Sequence, residues 1–315
     1  MGKGNQIKML LGLDSGLKVG LFFAYIVAWS AQGVLVHRAN KESGTQFDPG
    51  SVIAAQEILK LCISLVLGGI RDFLPSHLSL LFWYMIPAGL YAIYNNLTFK
   101  SLEIFDPTTY FVLMQFRIVV TGLFSVLLLR RRIDSLQWLA LVVIMVGAMF
   151  KEISRCSLLI HNLPGYGIIG IQILLSVSAG VVNEKYLKQN TNCPITVQNV
   201  FMYMNSLLLL FSYQSAATRR VTLDSLITAV KNPYLSPVVI NAGLIGVLTS
   251  YFLKYLSSVH KSIASAIELW LTAFLSSLVF GYGIDNSTGI GIFIVTFGVA
   301  LYSFSAAARD PRIAS

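Results

Sequence analysis

The sequence predicts an all-α membrane protein that crosses its bilayer ten times, as two inverted repeats of five transmembrane helices. Three observations predict it. Apolar residues make up 55% of the 315 residues and charged residues only 12%, about half the charged share of a soluble domain. The apolar residues fall into runs of about 20, the length that spans a bilayer as a helix. A pattern in the first half of the chain returns 151 to 154 residues later.

The runs place spans near 17–36, 51–70, 79–99, 108–129, 134–150, 166–187, 195–214, 235–256, 262–281 and 287–306. At this composition only helices satisfy every backbone group inside lipid. The connections are short and carry turn residues: Ser43-Gly44, Asp106-Pro107, Leu163-Pro164-Gly165 and Asn232-Pro233. Residues 1–17 are polar, and the apolar run after them is too long for the core of a signal peptide, so no cleavable signal is expected.

The net charge is +9. In a membrane protein this reads as topology rather than nucleic-acid binding. With the N-terminus in the cytosol, 13 of the 23 Lys and Arg residues fall in cytosolic segments and 8 on the opposite side. That bias places both termini in the cytosol.

The repeat is seen in short matches. Ala88-Gly89-Leu90 returns as Ala242-Gly243-Leu244, Lys100 as Lys254 and Leu102 as Leu256. After a slip of three residues, Ile133-Asp134 meets Ile284-Asp285 and Gly147 meets Gly298. Each unit holds five spans. Five is odd, so the second unit enters the membrane from the other side. Inverted repeats of this kind characterise alternating-access carriers, with substrate held near the midplane between them. The halves are expected at 1–156 and 157–315, in one integral membrane domain.

Charged side chains inside spans are costly and mark function by default. Glu57 and Lys60 are three apart on the second span and share a helix face, as a structural pair or as part of a translocation path. Arg117 lies mid-way along the fourth span, and its repeat counterpart is Glu268. The two could lock as an ion pair. The sharper reading gives Arg117 an anion to hold, because guanidinium binds phosphate in a fork, and gives Glu268 a gating or counter-charge role. Lys261 and Ser262 open the ninth span, where a cation, a hydroxyl and a helix start suit an anion or simply mark topology.

A second layer is polar but uncharged: Asn95 and Asn96, Gln115, and Gln198, Asn199, Tyr203 and Asn205 in the seventh span. Asn199 and Tyr203 are four apart, an amide and a ring on one face, which suits a nucleobase. Interhelical hydrogen bonding is the structural alternative. Sequons at Asn96 and Asn286 lie at or inside spans, so neither is expected to be glycosylated. Cys62, Cys156 and Cys193 show no metal or redox spacing. His37, His77, His161 and His260 are scattered. No Walker loop, nucleophile elbow or zincin motif occurs. No metal, cofactor or enzymatic activity is expected.

These residues resemble a known family. Tyr94-Asn95-Asn96, Tyr110, Gln115-Phe116-Arg117 and Leu136-Gln137-Trp138 are similar to the nucleotide-sugar transporters, in the branch of the CMP-sialic acid, UDP-galactose and UDP-N-acetylglucosamine transporters. Asn183-Glu184-Lys185, Gln198-Asn199, Tyr203, Lys254-Tyr255 and Lys261-Ser262 fit the same branch. The resemblance covers nearly the whole chain. It implies the drug/metabolite transporter fold and a Golgi or ER membrane. It implies an antiporter that brings in a UDP- or CMP-linked sugar against a nucleoside monophosphate. It suggests Asn96, Tyr110 and Arg117 at the nucleotide, Asn199 and Tyr203 at the base or ribose, and Lys261 at the phosphate. Glu184-Lys185 would be a structural motif at the cytosolic end of the sixth span. Relatives usually carry Lys where this chain has Arg117. The expected partners are the nucleotide sugar, the nucleoside monophosphate and the lipid bilayer, and no nucleic acid. A homodimer, or association with Golgi glycosyltransferases, stays open. So do two rival functions: an exporter of other small metabolites, and a non-transporting Golgi adaptor.

Overall fold

The computed structural model describes residues 15–42, 49–69, 71–72, 78–105, 107–153, 163–216, 221–281 and 286–307. The described residues are helical and contain no strand. In chain order the helices are α1 Gly16–Glu42, α2 Pro49–Ser64, α3 Leu78–Ile104, α4 Pro107–Met114, α5 Arg117–Leu129 and α6 Ser135–Ile153. They continue as α7 Leu163–Gln189, α8 Ile195–Ala216, α9 Leu223–Lys231, α10 Leu235–Tyr255, α11 Ser258–Phe280 and α12 Asn286–Ala307. Ser43-Gly44, His77, Asp106, Cys156, His161, Ile284-Asp285 and the boundary between the expected halves lie outside the described residues.

Each expected span falls on helix. Eight helical segments are long and apolar enough to cross a bilayer: those beginning at Gly16, Gly50, Val112, Leu163, Ile195, Leu235, Ser258 and Asn286. The chain is therefore a multi-pass membrane protein. Of the other two, α6 carries a shorter apolar stretch, Ser135–Phe150. Helix α3 is 27 residues long, about 40 Å at the helical rise, but Tyr84, Tyr91, Tyr94, Asn95 and Asn96 dilute its apolar character.

Two features were not expected. The fourth span is interrupted at Gln115–Phe116, where Gln115, Phe116 and Ile118 each donate backbone hydrogen bonds three residues back. Such a tightened turn inside a helix marks a hinge. It places Arg117 at the first residue of α5. The second feature is α9, nine residues long and too short to span. Thr222 and Ser225 form a reciprocal capping box at its start, with Asp224 in the first turn and Lys231 in the last. Leu226 and Ala229 pack on α2 and α10, while Leu223, Ile227 and Val230 stay exposed. Beyond it, the Asn232 side chain accepts from the Tyr234 and Leu235 amides and so starts α10.

The helices pack chiefly between the two expected halves rather than within them. The most extensive pair is α6 with α12, followed by α3 with α7 and α8, α10 with α1 and α2, and α11 with α1. Side chains fix the pairs. Asn241 of α10 donates to the Ala28 carbonyl and to Gln32 of α1, and Ser30 of α1 donates to the Glu268 carbonyl of α11. Small residues let the pairs close up. A Cβ on Gly246 of α10 would stand 2.5 Å from the Lys60 side chain of α2.

Candidate functional site

The polar side chains of α8 sort onto two faces. Gln198 is fully buried. Its amide donates to the Asn190 and Cys193 carbonyls, and its oxygen accepts from the Tyr84 hydroxyl of α3. Asn205, seven residues on, donates to the Leu81 carbonyl of α3 at 2.7 Å. These two are the interhelical ties that the structural reading foresaw. Asn199 and Tyr203 lie on another face and are 2% and 5% exposed, yet among the described residues the Asn199 amide nitrogen and the Tyr203 hydroxyl have no hydrogen-bond partner. The Ser250 hydroxyl lies within electrostatic reach of Tyr203 but donates to the Gly246 carbonyl. A buried polar atom without a partner is uncommon and costly.

Lys60 faces Tyr203 from α2. Its ammonium pairs with Glu57 at 2.6 Å and lies 5.7 Å from the centroid of the Tyr203 ring. Tyr203 is also within electrostatic reach of Glu57 and of Tyr91 on α3. Tyr91 in turn lies within reach of Tyr25 on α1. Tyr25 is buried and lies within electrostatic reach of Ser265 and Glu268 on α11 and of Arg117. Arg117 and Lys261 repel each other. Among the described residues neither cation makes an ion pair or a side-chain hydrogen bond. No ion pair joins Arg117 to Glu268, which accepts from Thr272 at 3.3 Å.

Electrostatic neighbours thus run from Glu57, Lys60 and Tyr203 through Tyr91 and Tyr25 to Glu268, Arg117 and Lys261, and Asn199 lies one turn from Tyr203 on α8. Of the other candidates, Asn96 and Ser262 make local bonds and Tyr110 is tied to another helix. Asn96 donates to the Ala92 carbonyl at 2.8 Å. Ser262 is buried and donates to the Ser258 carbonyl at 3.2 Å. The Tyr110 hydroxyl accepts from Gln172, which is fully buried and also bonds Thr98 and Ser101. Tyr25, Tyr91 and Gln172 were not foreseen. A tyrosine or glutamine inside a span reads as packing, and only the long-range contacts show what each one faces. Among the described residues no group of His, Cys, Asp and Glu is arranged to hold a metal ion.

Chemically, among the described residues, two cations without an ion pair stand at one part and an amide with an aromatic hydroxyl at another. Cations of this kind bind phosphate, and an amide with an aromatic ring suits a planar polar ring.

The family model for nucleotide-sugar transporters matches residues 14–303. The UDP-galactose transporter senju of Drosophila melanogaster is 30% identical, over 90% of this chain and 86% of its own. The CMP-sialic acid transporter 1 of Oryza sativa subsp. japonica is 26% identical, over 88% of this chain and 91% of its own. The UDP-galactose translocator 1 of Caenorhabditis elegans is 26% identical, over 90% of this chain and 88% of its own. A solved crystal structure shares the fold with a TM-score of 0.71 at 14% identity, over 92% of this chain and 98% of that one. The relatives are transporters rather than enzymes. With a family model that matches nearly its whole length, this chain belongs to the nucleotide-sugar transporter family.

Proposed function

We propose that the protein is a Golgi or ER antiporter, with both termini in the cytosol. It brings a UDP- or CMP-linked sugar into the lumen and returns a nucleoside monophosphate by alternating access. The observation that carries this reading is the pair of interior cations, Arg117 and Lys261, neither of which makes an ion pair among the described residues. Both cargoes bear phosphate, so one cationic site serves both. An empty site leaves the cations uncompensated, which disfavours unloaded return and enforces exchange.

In this reading Arg117 and Lys261 hold phosphate, with Ser262 beside Lys261; α11 begins at Ser258, so both lie about one turn inside it rather than at its start. Asn199 and Tyr203 take the base or ribose, and their missing partners are the ligand's own polar groups. Asn96 and Tyr110 flank the nucleotide. Glu57, Lys60 and Glu268 balance charge as the site changes sides.

The ten-helix, inverted-repeat architecture of the drug/metabolite transporters, with halves at 1–156 and 157–315, is supported by the pairing of helices. Exchanging the first five spans for the second five turns the α1–α10 contact into α7–α3, and α2–α10 into α8–α3. It turns α1–α11 into the contact of α7 with α5, and it leaves the α6–α12 contact in place. The same pattern changes what moves. The halves interleave, so the rocking bodies are mixed groups, α1, α2, α10 and α11 against α3, α4, α5, α7 and α8. The site residues come from both groups.

Proteoliposomes loaded with UMP or CMP test the function. Uptake of radiolabelled UDP-galactose, UDP-N-acetylglucosamine or CMP-sialic acid should rise several-fold over that of empty vesicles. Uptake indifferent to the internal nucleotide for every sugar would overturn exchange.

A further inference from the structure

At the end of the bundle where α5, α7 and α10 finish and α11 begins, one buried carboxylate gathers three donors. Glu184, near the end of α7, is 0% exposed. Its Oε1 accepts from the Arg131 guanidinium at 2.5 Å and from the Lys188 ammonium at 2.7 Å. Its Oε2 accepts from the Ser258 backbone amide, the first residue of α11, at 2.7 Å. Lys188 also donates to the Leu256 carbonyl at the end of α10.

These bonds join the two groups of helices proposed above to move against each other. Glu184, Lys188 and Arg131, which follows α5, belong to one. Leu256 and Ser258 belong to the other. They also reach the site, since Lys261 lies three residues along α11 from the amide that Glu184 holds.

The partners differ in how readily they let go. A fully buried carboxylate stripped of partners is strongly disfavoured. Lys188 is on the same helix, one turn from Glu184, so it stays with the carboxylate whatever α11 does. The Arg131 side chain is 33% exposed and has water to turn to. The arrangement can open without leaving a bare buried charge.

We propose that Glu184 is the latch that holds this end of the protein shut: it ties the linker after α5 to the start of α11, aligns Lys261, and keeps Lys188 as its counter-ion when the other bonds break. The inference rests on the carrier reading for its purpose, but its bonds are testable without transport.

The test uses the full chain in lipid nanodiscs and follows backbone amide exchange with deuterium. In Glu184→Gln, peptides over 130–134 and 257–262 should exchange about tenfold faster or more, because hydrogen bonds to a charged group are lost. Peptides from α6 and α12 should be unchanged. A rise spread evenly over the molecule, or no rise at 130–134, overturns the latch and leaves an ordinary structural bond. Should Glu184→Gln not fold, Arg131→Gln serves. It should free 130–134 while 257–262 stays protected, and equal loosening of both overturns the proposal.

The closed state can also be trapped. A cleavable thiol cross-linker joins Arg131→Cys to Ser258→Cys in a chain whose native cysteines are serine. Cross-linking should stop uptake, and cleavage should restore it. Continued uptake while cross-linked overturns the latch. A protein that takes up no nucleotide sugar before cross-linking sinks the transport reading instead, and the exchange data still decide the latch.

Discussion

Gly147 of α6 and Gly298 of α12 are each pressed against the backbone of the other's helix. A Cβ on Gly147 would stand 2.8 Å from the Val295 nitrogen, and a Cβ on Gly298 would stand 3.0 Å from the Ile144 nitrogen. Each glycine thus meets the residue three positions before the other. The contact is reciprocal, as a local two-fold relation between the helices requires, and close approach through small residues is how membrane helices bind tightly. Gly147→Ala and Gly298→Ala should each destabilise the detergent-solubilised protein by about 1–3 kcal/mol through overpacking. The double variant should lose less than the two losses combined, because the first substitution already parts the helices. Thermal melts of all four proteins decide this, and full additivity would mean the two sites are independent.

That contact was half legible beforehand. The match of Gly147 with Gly298 was visible in the sequence; that they face each other was not. Span positions were legible because a 20-residue apolar run admits one backbone solution in lipid. Helix α9 was missed because nine residues carry too few turns for an apolar run to stand out. The break before Arg117 was missed because nothing in Gln115–Phe116 forbids helix. In the candidate site, Arg117, Lys261 and Asn199 stood out by being polar in apolar runs. Tyr25 and Tyr91 did not, since tyrosine is at home in a core. Two of the three partners of Glu184 lie 53 and 74 residues away, a separation that no local pattern encodes.

Arg117 and Lys261 repel each other in the empty protein. Arg117→Met should therefore leave the ligand-free melting temperature unchanged or raise it by about 2 °C, while UMP and CMP bind at least about tenfold more weakly. Arg117→Lys should fall between, keeping charge but losing the fork. Melting curves with and without nucleotide measure both effects. A large loss of ligand-free stability in Arg117→Met would mean that the guanidinium has a structural partner after all.

The two faces of α8 should respond oppositely. Tyr203→Phe removes a hydroxyl without a partner, so the empty protein should melt within about 2 °C of wild type, while nucleotide affinity falls. Gln198→Ala and Asn205→Ala break ties to α3 and should lower the melting temperature by roughly 2–6 °C. If Tyr203→Phe destabilises as much as Gln198→Ala, Tyr203 belongs to the scaffold.

Cys193, in the short turn between α7 and α8, is 2% exposed. Burial raises its thiol to about 11, and nearby Lys254 only partly offsets this. At pH 8 roughly one molecule in a thousand carries the reactive thiolate. A maleimide should therefore leave Cys193 unmodified in the folded protein at pH 8 and modify it after denaturation. Peptide mapping reads the difference, and labelling at the rate of a free thiol would show that the turn opens.

If the protein exchanges its cargo as proposed, the pair of Arg117 and Lys261 has an electrical consequence. Moving one elementary charge through a full membrane potential involves about 2.3 kcal/mol per 100 mV. A carrier that returned vacant would move the excess of Arg117 and Lys261 over Glu268 through part of that drop, so its return should follow voltage. Two cargoes of equal charge exchanged in opposite directions transfer no net charge. Productive cycles would then be silent to an electrode, and any current recorded would mark the turns in which the carrier came back empty.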